Sequence, residues 1–244
     1  MTDAKRDNRG ICWLRIMPAA IAASTALCAA SLSLASASSG AATALPAETC
    51  TPPGSRTLAH DAQARVYSLP APTEGPRASA AEPKPINVYG CTLAAGKTVL
   101  LGSTAIDLTG DRLMIDPHAL ALSGSRVAYS LTEGGTDSNQ VYVALRNLAT
   151  GKLERRPNAS PGPLGPENFS KVTRVVLSNA GALAWVSTGS SITGEGAREV
   201  AAVDSSGQAR TLDTAANIDP RSLALRGHRL SWTDGGVGHS AVLG

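Results

Sequence analysis

Four segments of the chain fit one template: an apolar strand, a tight polar turn, and a second strand carrying a single aromatic residue. They read TLAHDAQARVYSL, LALSGSRVAYSL, VVLSNAGALAWVS and LALRGHRLSWTD, with the aromatics at Tyr67, Tyr129, Trp185 and Trp232. The turns fall at His60-Asp61, Ser123-Gly124, Asn179-Ala180-Gly181 and Arg226-Gly227, between runs of period-2 alternation, which is hairpin chemistry. Three of the four continue with a third strand, a turn at glycine and a fourth strand: INVYGCTLAAGKTVLLG, QVYVALRNLATGKLERR and REVAAVDSSGQARTLDT. The aromatics stand 62, 56 and 47 residues apart, a spacing that suits four-stranded units joined by loops of variable length. One antiparallel sheet of this kind cannot bury both of its faces, so successive units must stack.

The stretch VYGCTLAAGKTVLLG, residues 88–102, also contains Gly96-Lys97-Thr98, the ending of a nucleotide-binding P-loop. A P-loop needs GxxxxGK[ST], because the backbone must wrap a phosphate before a helix begins. Here the earlier glycine, Gly90, is one residue too far away, and Cys91 stands where glycine is required. The run TVLLG is short, contains β-branched residues and stops at glycine, so it reads as a strand where a P-loop would begin its helix. Gly96-Lys97 occupies the place of Gly151-Lys152 and Gly207-Gln208 in the other units, which makes Lys97 a turn residue.

With four such units in hand, the segments resemble blades of secreted bacterial β-propellers of the TolB-like kind, and SWTDGG is similar to the YWTD signature of six-bladed propellers. The resemblance covers about residues 50–244. Only Trp232, Thr233 and Asp234 match the YWTD pattern, whereas the other units have VYSL, AYSL and AWVS. It implies an all-β fold, a β-propeller-like array of about four antiparallel blades, with units at roughly 50–105, 113–156, 171–213 and 217–244. The fourth unit stops at VGHSAVLG, one strand short. GSRTLA at residues 54–59 resembles the fourth-strand text GQARTL at 207–212, but using it so would take TLA from the first strand of the first unit. A closed array, an open or incomplete one, and one completed by a second copy in a homo-oligomer all remain open.

The N-terminus reads as a targeting segment. Lys5, Arg6, Arg9 and Arg15 precede an Ala-rich apolar stretch that ends in small residues with the pattern Ala35-Ser36-Ala37, as in a secretory signal peptide over 1–37. An uncleaved anchor is the rival, disfavoured by the weak hydrophobicity of Ala and Ser. Residues 38–49 read as a flexible segment. The chain has 22 basic and 19 acidic residues; without 1–37, which holds four and two of them, the remainder is nearly neutral. Such a balance gives no footprint for nucleic acid, and no second long apolar run supplies a membrane span after processing. Processing leaves two of the four cysteines, Cys50 and Cys91, which in an oxidising compartment read as one disulfide. Closing that loop is worth about 4 kcal/mol in the chain-entropy treatment.

Two Pro-rich stretches, residues 69–85 and 157–169, read as loops. Arg155-Arg156 reads as a solvated basic pair. His60, His118, His228 and His239 show no metal-ligand spacing; His60 and His228 fall in turns. Asp116-Pro117-His118 and His239-Ser240 would supply a base or a nucleophile only beside a distant partner, and neither a GxSxG elbow nor an SxxK pair is present. EGGTDSN brings Glu133, Asp137 and Asn139 together without EF-hand spacing, which reads as a polar loop. No catalytic, metal-binding or cofactor-binding residue is therefore assigned, and no cofactor is expected. The sequence points to a secreted, non-enzymatic β-repeat protein presenting loops to an extracellular protein or glycan. The alternatives are an extracytoplasmic lyase or hydrolase with an axial His/acid site, and a structural component of the cell envelope.

The turn reading of Lys97 is testable against the nucleotide reading. Lys97→Ala is expected to cost under about 0.5 kcal/mol, and Gly96→Val about 1 to 3 kcal/mol through backbone strain. Thermal melts with and without Mg-ATP check both, and a nucleotide-induced rise that depends on Lys97 would restore the P-loop.

Overall fold

A computed structural model describes residues 50–71, 84–104, 112–134, 139–161, 169–191 and 194–244. The leader over 1–37, the segment 38–49 and Asp137 lie outside the described residues. The described chain is all-β, with sheets of eight, four and three strands. The first sheet runs in chain order through β1 (Arg56–His60), β2 (Ala64–Pro70), β3 (Ile86–Thr92), β4 (Lys97–Ser103), β5 (Arg112–Ser123), β6 (Arg126–Gly134), β7 (Asn139–Asn147) and β8 (Leu153–Arg155). The second consists of β9 (Phe169–Leu177), β10 (Leu183–Ser191), β11 (Gly194–Val203) and β12 (Ala209–Ala215). The third holds β13 (Ile218–Arg226), β14 (Arg229–Asp234) and β15 (Val237–Val242).

Every neighbouring pair is antiparallel except one. β4 and β5 share a single parallel pair, Ser103↔Met114, and this contact alone merges two four-stranded meanders into the eight-stranded sheet. β1 pairs with β2, so residues 56–60 serve as a first strand and are not available as the missing fourth strand beside β15. The tight turns form as their residue types demand. Gly96, Gly151 and Gly207, each between a third and a fourth strand, have φ of 59°, 79° and 98°, the left-handed region that glycine adopts without a Cβ penalty.

Packing follows from the pleat, since alternate residues of each strand face opposite sides. Tyr67, Tyr129, Trp185 and Trp232 lie on β2, β6, β10 and β14 and are all buried. Tyr129 clusters with Val66, Val88 and Leu101 of β2–β4, Trp185 with Ala128, Val143 and Leu145 of β6–β7, and Trp232 with Val176, Val186 and Val200 of β9–β11. Each of these three rings therefore packs onto the strands that come before its own. Such rings remove on the order of 150–250 Å² each from water, so they dominate the adhesion between layers. Tyr67 has, among the described residues, no strand before β1 to meet. It clusters instead with Cys50 and Cys91 and stacks on Tyr89, ring centroids 5.5 Å apart. Cys50 and Cys91 form the disulfide, with Cα atoms 5.6 Å apart, and both are fully buried.

Gly90 explains why the false P-loop has its glycine one place early. A Cβ added there would lie 2.3 Å from Cδ2 of Leu148, a fully buried side chain from the β7–β8 turn. β3 must present bare backbone at this point so that Leu148 can pack in. The opposite departure occurs at the second Pro-rich stretch. Residues 157–160 are not a free loop: the Val143 N–H donates to Pro157 O at 3.1 Å and the Ala159 N–H to Val141 O at 2.7 Å, so they extend the run of β8 along β7. Proline is tolerated there because its carbonyl, not an N–H, is what β7 needs.

The fit at Gly90 generates a paired test. Gly90→Ala is expected to destabilise by about 1 to 3 kcal/mol through overpacking. Combining it with Leu148→Ala should cost less than the sum of the two single changes, because the cavity accepts the new methyl. Denaturant melts of the four proteins check the sign of that coupling, and strict additivity would place the strain elsewhere.

Candidate functional site

Within each unit the strands are antiparallel, so its first-to-second and third-to-fourth turns lie at one end and its second-to-third connection at the other, and bonds between turns of different units gather the turns together. At the first end the turns are short and tied together across unit boundaries. The Asp61 carboxylate accepts from the Gly124 N–H at 2.7 Å, and Lys97 Nζ donates to Ala149 O at 2.9 Å. The Ser123 hydroxyl bonds Asn179 Oδ1, and Arg126 donates to Asn179 O at 3.3 Å. Arg155 reaches farthest, donating to Gly181 O at 3.2 Å, Asp204 O at 2.6 Å and Ser205 O at 2.5 Å. Ser205 in turn donates through its N–H and hydroxyl to Gly244 O, at 3.2 and 2.8 Å.

These bonds correct two readings made from sequence. Of Arg155-Arg156, only Arg156 is exposed, and both are engaged. Arg155 fastens the β9–β10 and β11–β12 turns, while Arg156 lies 4.0 Å from the Tyr142 ring centroid and 3.1 Å from the Glu133 carboxylate. Lys97 is exposed, as a turn lysine should be, yet its bond to Ala149 raises the expected cost of Lys97→Ala to as much as about 1 kcal/mol.

The other end is built differently. Long connections join β2 to β3 (71–85), β4 to β5 (104–111) and β8 to β9 (156–168), with shorter ones at 135–138, 192–193, 216–217 and 235–236. Partway along the first strands the ladder breaks register in all four units, directly beside Tyr67, Tyr129 and Trp232 and one pair past Trp185. Two of these bulges have the same text. Ile115-Asp116-Pro117-His118-Ala119-Leu120 on β5 and Ile218-Asp219-Pro220-Arg221-Ser222-Leu223 on β13 share I-D-P-x-x-L, a match that the hairpin template begins too late to include. Both aspartates fold back on their own chain: Asp116 accepts from the His118 N–H at 2.9 Å and Asp219 from the Arg221 N–H at 3.0 Å. Proline fits a bulge because no ladder partner waits for its N–H. The result displays His118 and Arg221 to solvent at matching places on two first strands.

The remaining sequence candidates are dispersed. His60 ends β1 and is exposed. His228, exposed in its turn, has Nδ1 3.2 Å from Leu243 O, so it helps hold the last residues. His239 stacks on Trp232 with centroids 5.7 Å apart. Among the described residues no serine, threonine or cysteine hydrogen-bonds to a histidine ring, and no group of three His, Cys, Asp or Glu residues comes together. Glu133 is engaged by Arg156, and Asp137 lies outside the described residues. Burial, reinforced by the negative charge of Glu133, raises the Tyr142 phenol above its ordinary range. Among the described residues these candidate side chains stand apart from one another.

No family model matches the chain, and no curated protein matches it. The chain is similar to a solved structure, the Hadza microbial sialidase Hz136, at 11% identity and a TM-score of 0.38; the match covers 78% of this chain and 43% of that one.

Asp204 provides a pH test of the turn end. Its carboxyl is held below the ordinary carboxylate range, first by the Ser206 hydroxyl at 2.6 Å and then by the backbone N–H of Gln208 at 3.0 Å. A depressed folded-state pKa stabilises fully above the unfolded value, and that stabilisation fades as pH falls through the folded value. Asp204→Ala should therefore lower the melting temperature at neutral pH, and the gap to the wild type should narrow as the solution is acidified below the carboxylate range. Melts of both proteins across that range check it; a gap independent of pH would show that the loss is one of packing alone.

Proposed function

We propose that the chain is a secreted, non-enzymatic β-propeller-like array whose loop end binds an extracellular partner, a protein or a glycan. The observation that carries this reading is the difference between the two ends. One end is fixed by short turns and by side chains bonded across unit boundaries, as in Arg155 to Ser205. The other carries the long connections, and binding surfaces are built on loops held by a rigid scaffold. The propeller-like reading draws support from the meander order of the strands and from first strands that follow one another, β5 packed on β1, β9 on β5 and β13 on β9. The buried Cys50–Cys91 disulfide supports an oxidising compartment. His118 and Arg221, displayed on their bulges, add polar contacts beside the loops.

Two measurements test the reading. Intact mass of protein recovered outside the cytoplasm should correspond to cleavage near Ala37, and a full-length, membrane-embedded product would favour an anchor. Purified protein should then retain a specific extracellular protein or glycan from its native surroundings. Replacing residues 72–83 by a short Gly-Ser linker should abolish that binding, whereas Lys97→Ala at the turn end should leave it unchanged. Turnover of fluorogenic glycosides or esters, lost on His118→Ala, would instead establish an enzyme.

A further inference from the structure

A cleft of about 220 Å³ is lined by residues of β4, β6, β7 and β8 and by Arg156, the residue after β8. Leu101, Leu131 and Tyr129, all buried, are among the residues that line it. Leu100 and Leu153, exposed at 53% and 39%, also line it. They are two of the few large apolar side chains that the described residues leave in water, and they share one cleft.

Arg146 gives the cleft its charge. Its Nε donates to the Tyr129 hydroxyl at 3.2 Å and its Nη1 to Gly151 O at 2.8 Å, so the guanidinium plane is fixed. The other arginines nearby have carboxylates: Arg126 has Glu154 at 2.9 Å and Arg156 has Glu133 at 3.1 Å. Among the described residues no carboxylate pairs with Arg146. A half-buried, immobilised guanidinium without a counter-charge has lost part of its hydration, and its Nη2 group, which bonds to nothing among the described residues, is left to answer an anion.

The geometry points to a binding site for a small apolar carboxylate, its tail on Leu100, Leu101 and Leu153 and its head on Arg146. A cavity of about 150 Å³ holds benzene. The cleft therefore takes a short alkyl chain or a single ring together with its carboxylate. An uncharged analogue leaves Arg146 unanswered, and an anion without a tail leaves the leucines wet, so recognition requires both halves of the ligand.

The test uses hexanoate and hexan-1-ol with the full chain, followed by amide chemical shifts. Hexanoate at up to about 10 mM, the affinity range of so few heavy atoms, should shift the amides of Leu100–Gly102 and Leu153. Hexan-1-ol should bind at least tenfold more weakly. Arg146→Met should weaken hexanoate at least tenfold and leave hexan-1-ol unchanged. Should that variant fail to fold for want of the Tyr129 and Gly151 bonds, Leu153→Asp decides, since it places a repelling charge on an exposed wall and leaves Arg146 intact; hexanoate binding should fall at least tenfold. Equal binding of acid and alcohol, shifts confined to other residues, or no shifts at all in folded protein would each overturn the site.

Discussion

A sheet of three or four strands has two broad faces and too little bulk to cover either one, so the structure depends on the adhesion of face to face. The aromatic on each second strand provides it. Tyr129, Trp185 and Trp232 each reach across to earlier strands, and around them the contact is made by small residues such as Ala128, Ala144, Ala184 and Ala202. One large ring among small neighbours allows two backbones to approach closely while a single side chain fills the remaining gap. The same rule leaves Tyr67 without a partner layer, and the Cys50–Cys91 disulfide with the stacked Tyr89 takes that place. The disulfide thus closes a face as well as a loop. At the opposite face, Arg229, Ser231 and Ser240 are exposed together with Val242.

Polar bonds at the turn end then fix the stack in register. Apolar adhesion is non-directional, so two sheets held by it alone can slide or rotate. A charged donor such as Arg155, set against three carbonyls from two different turns, permits one arrangement only. Concentrating these bonds at one end leaves the connections at the other free to vary in length, from 192–193 to 71–85, without disturbing the packed layers.

The hairpins were legible in the sequence because they are local. Turn glycines at 96, 151 and 207 and period-2 alternation on either side declare themselves within a dozen residues. The Cys50–Cys91 pair was legible by elimination in an oxidising compartment. Two kinds of feature escaped reading. The I-D-P-x-x-L bulges of β5 and β13 were missed because a bulge breaks the alternation by which strands are recognised. The partners of Arg155, Arg146 and Lys97 were missed because bonds to backbone carbonyls outside the strand's own ladder carry no signature in residue type. Arg155 and Arg156 adjoin one another and look alike on paper, yet one grips three carbonyls and the other lies over Tyr142. Charge pairing fails as a guide for the same reason: the acceptors are mostly backbone, which every residue possesses.

The stretch 88–102 shows how densely separate constraints can be written into one hairpin. Gly90 leaves room for Leu148, Cys91 closes the disulfide, Gly96 turns the chain, and Lys97 bonds Ala149. Leu100 and Leu101 then line the cleft that Arg146 charges. All but the turn itself join β3 and β4 to groups outside the hairpin, and the contacts of Gly90, Lys97 and the cleft run to the strands and turns of β6–β8. A ligand bound only by the native protein stabilises it in proportion to the logarithm of its concentration over its Kd. Occupancy of the cleft would therefore strengthen the same boundary that Leu148 and Lys97 hold, and it would be lost wherever that boundary opens. Gly90→Ala, though it touches no ligand atom, presses on Leu148 in the same β7–β8 turn that carries Gly151, the acceptor holding Arg146 in place, and should accordingly weaken hexanoate binding along with stability.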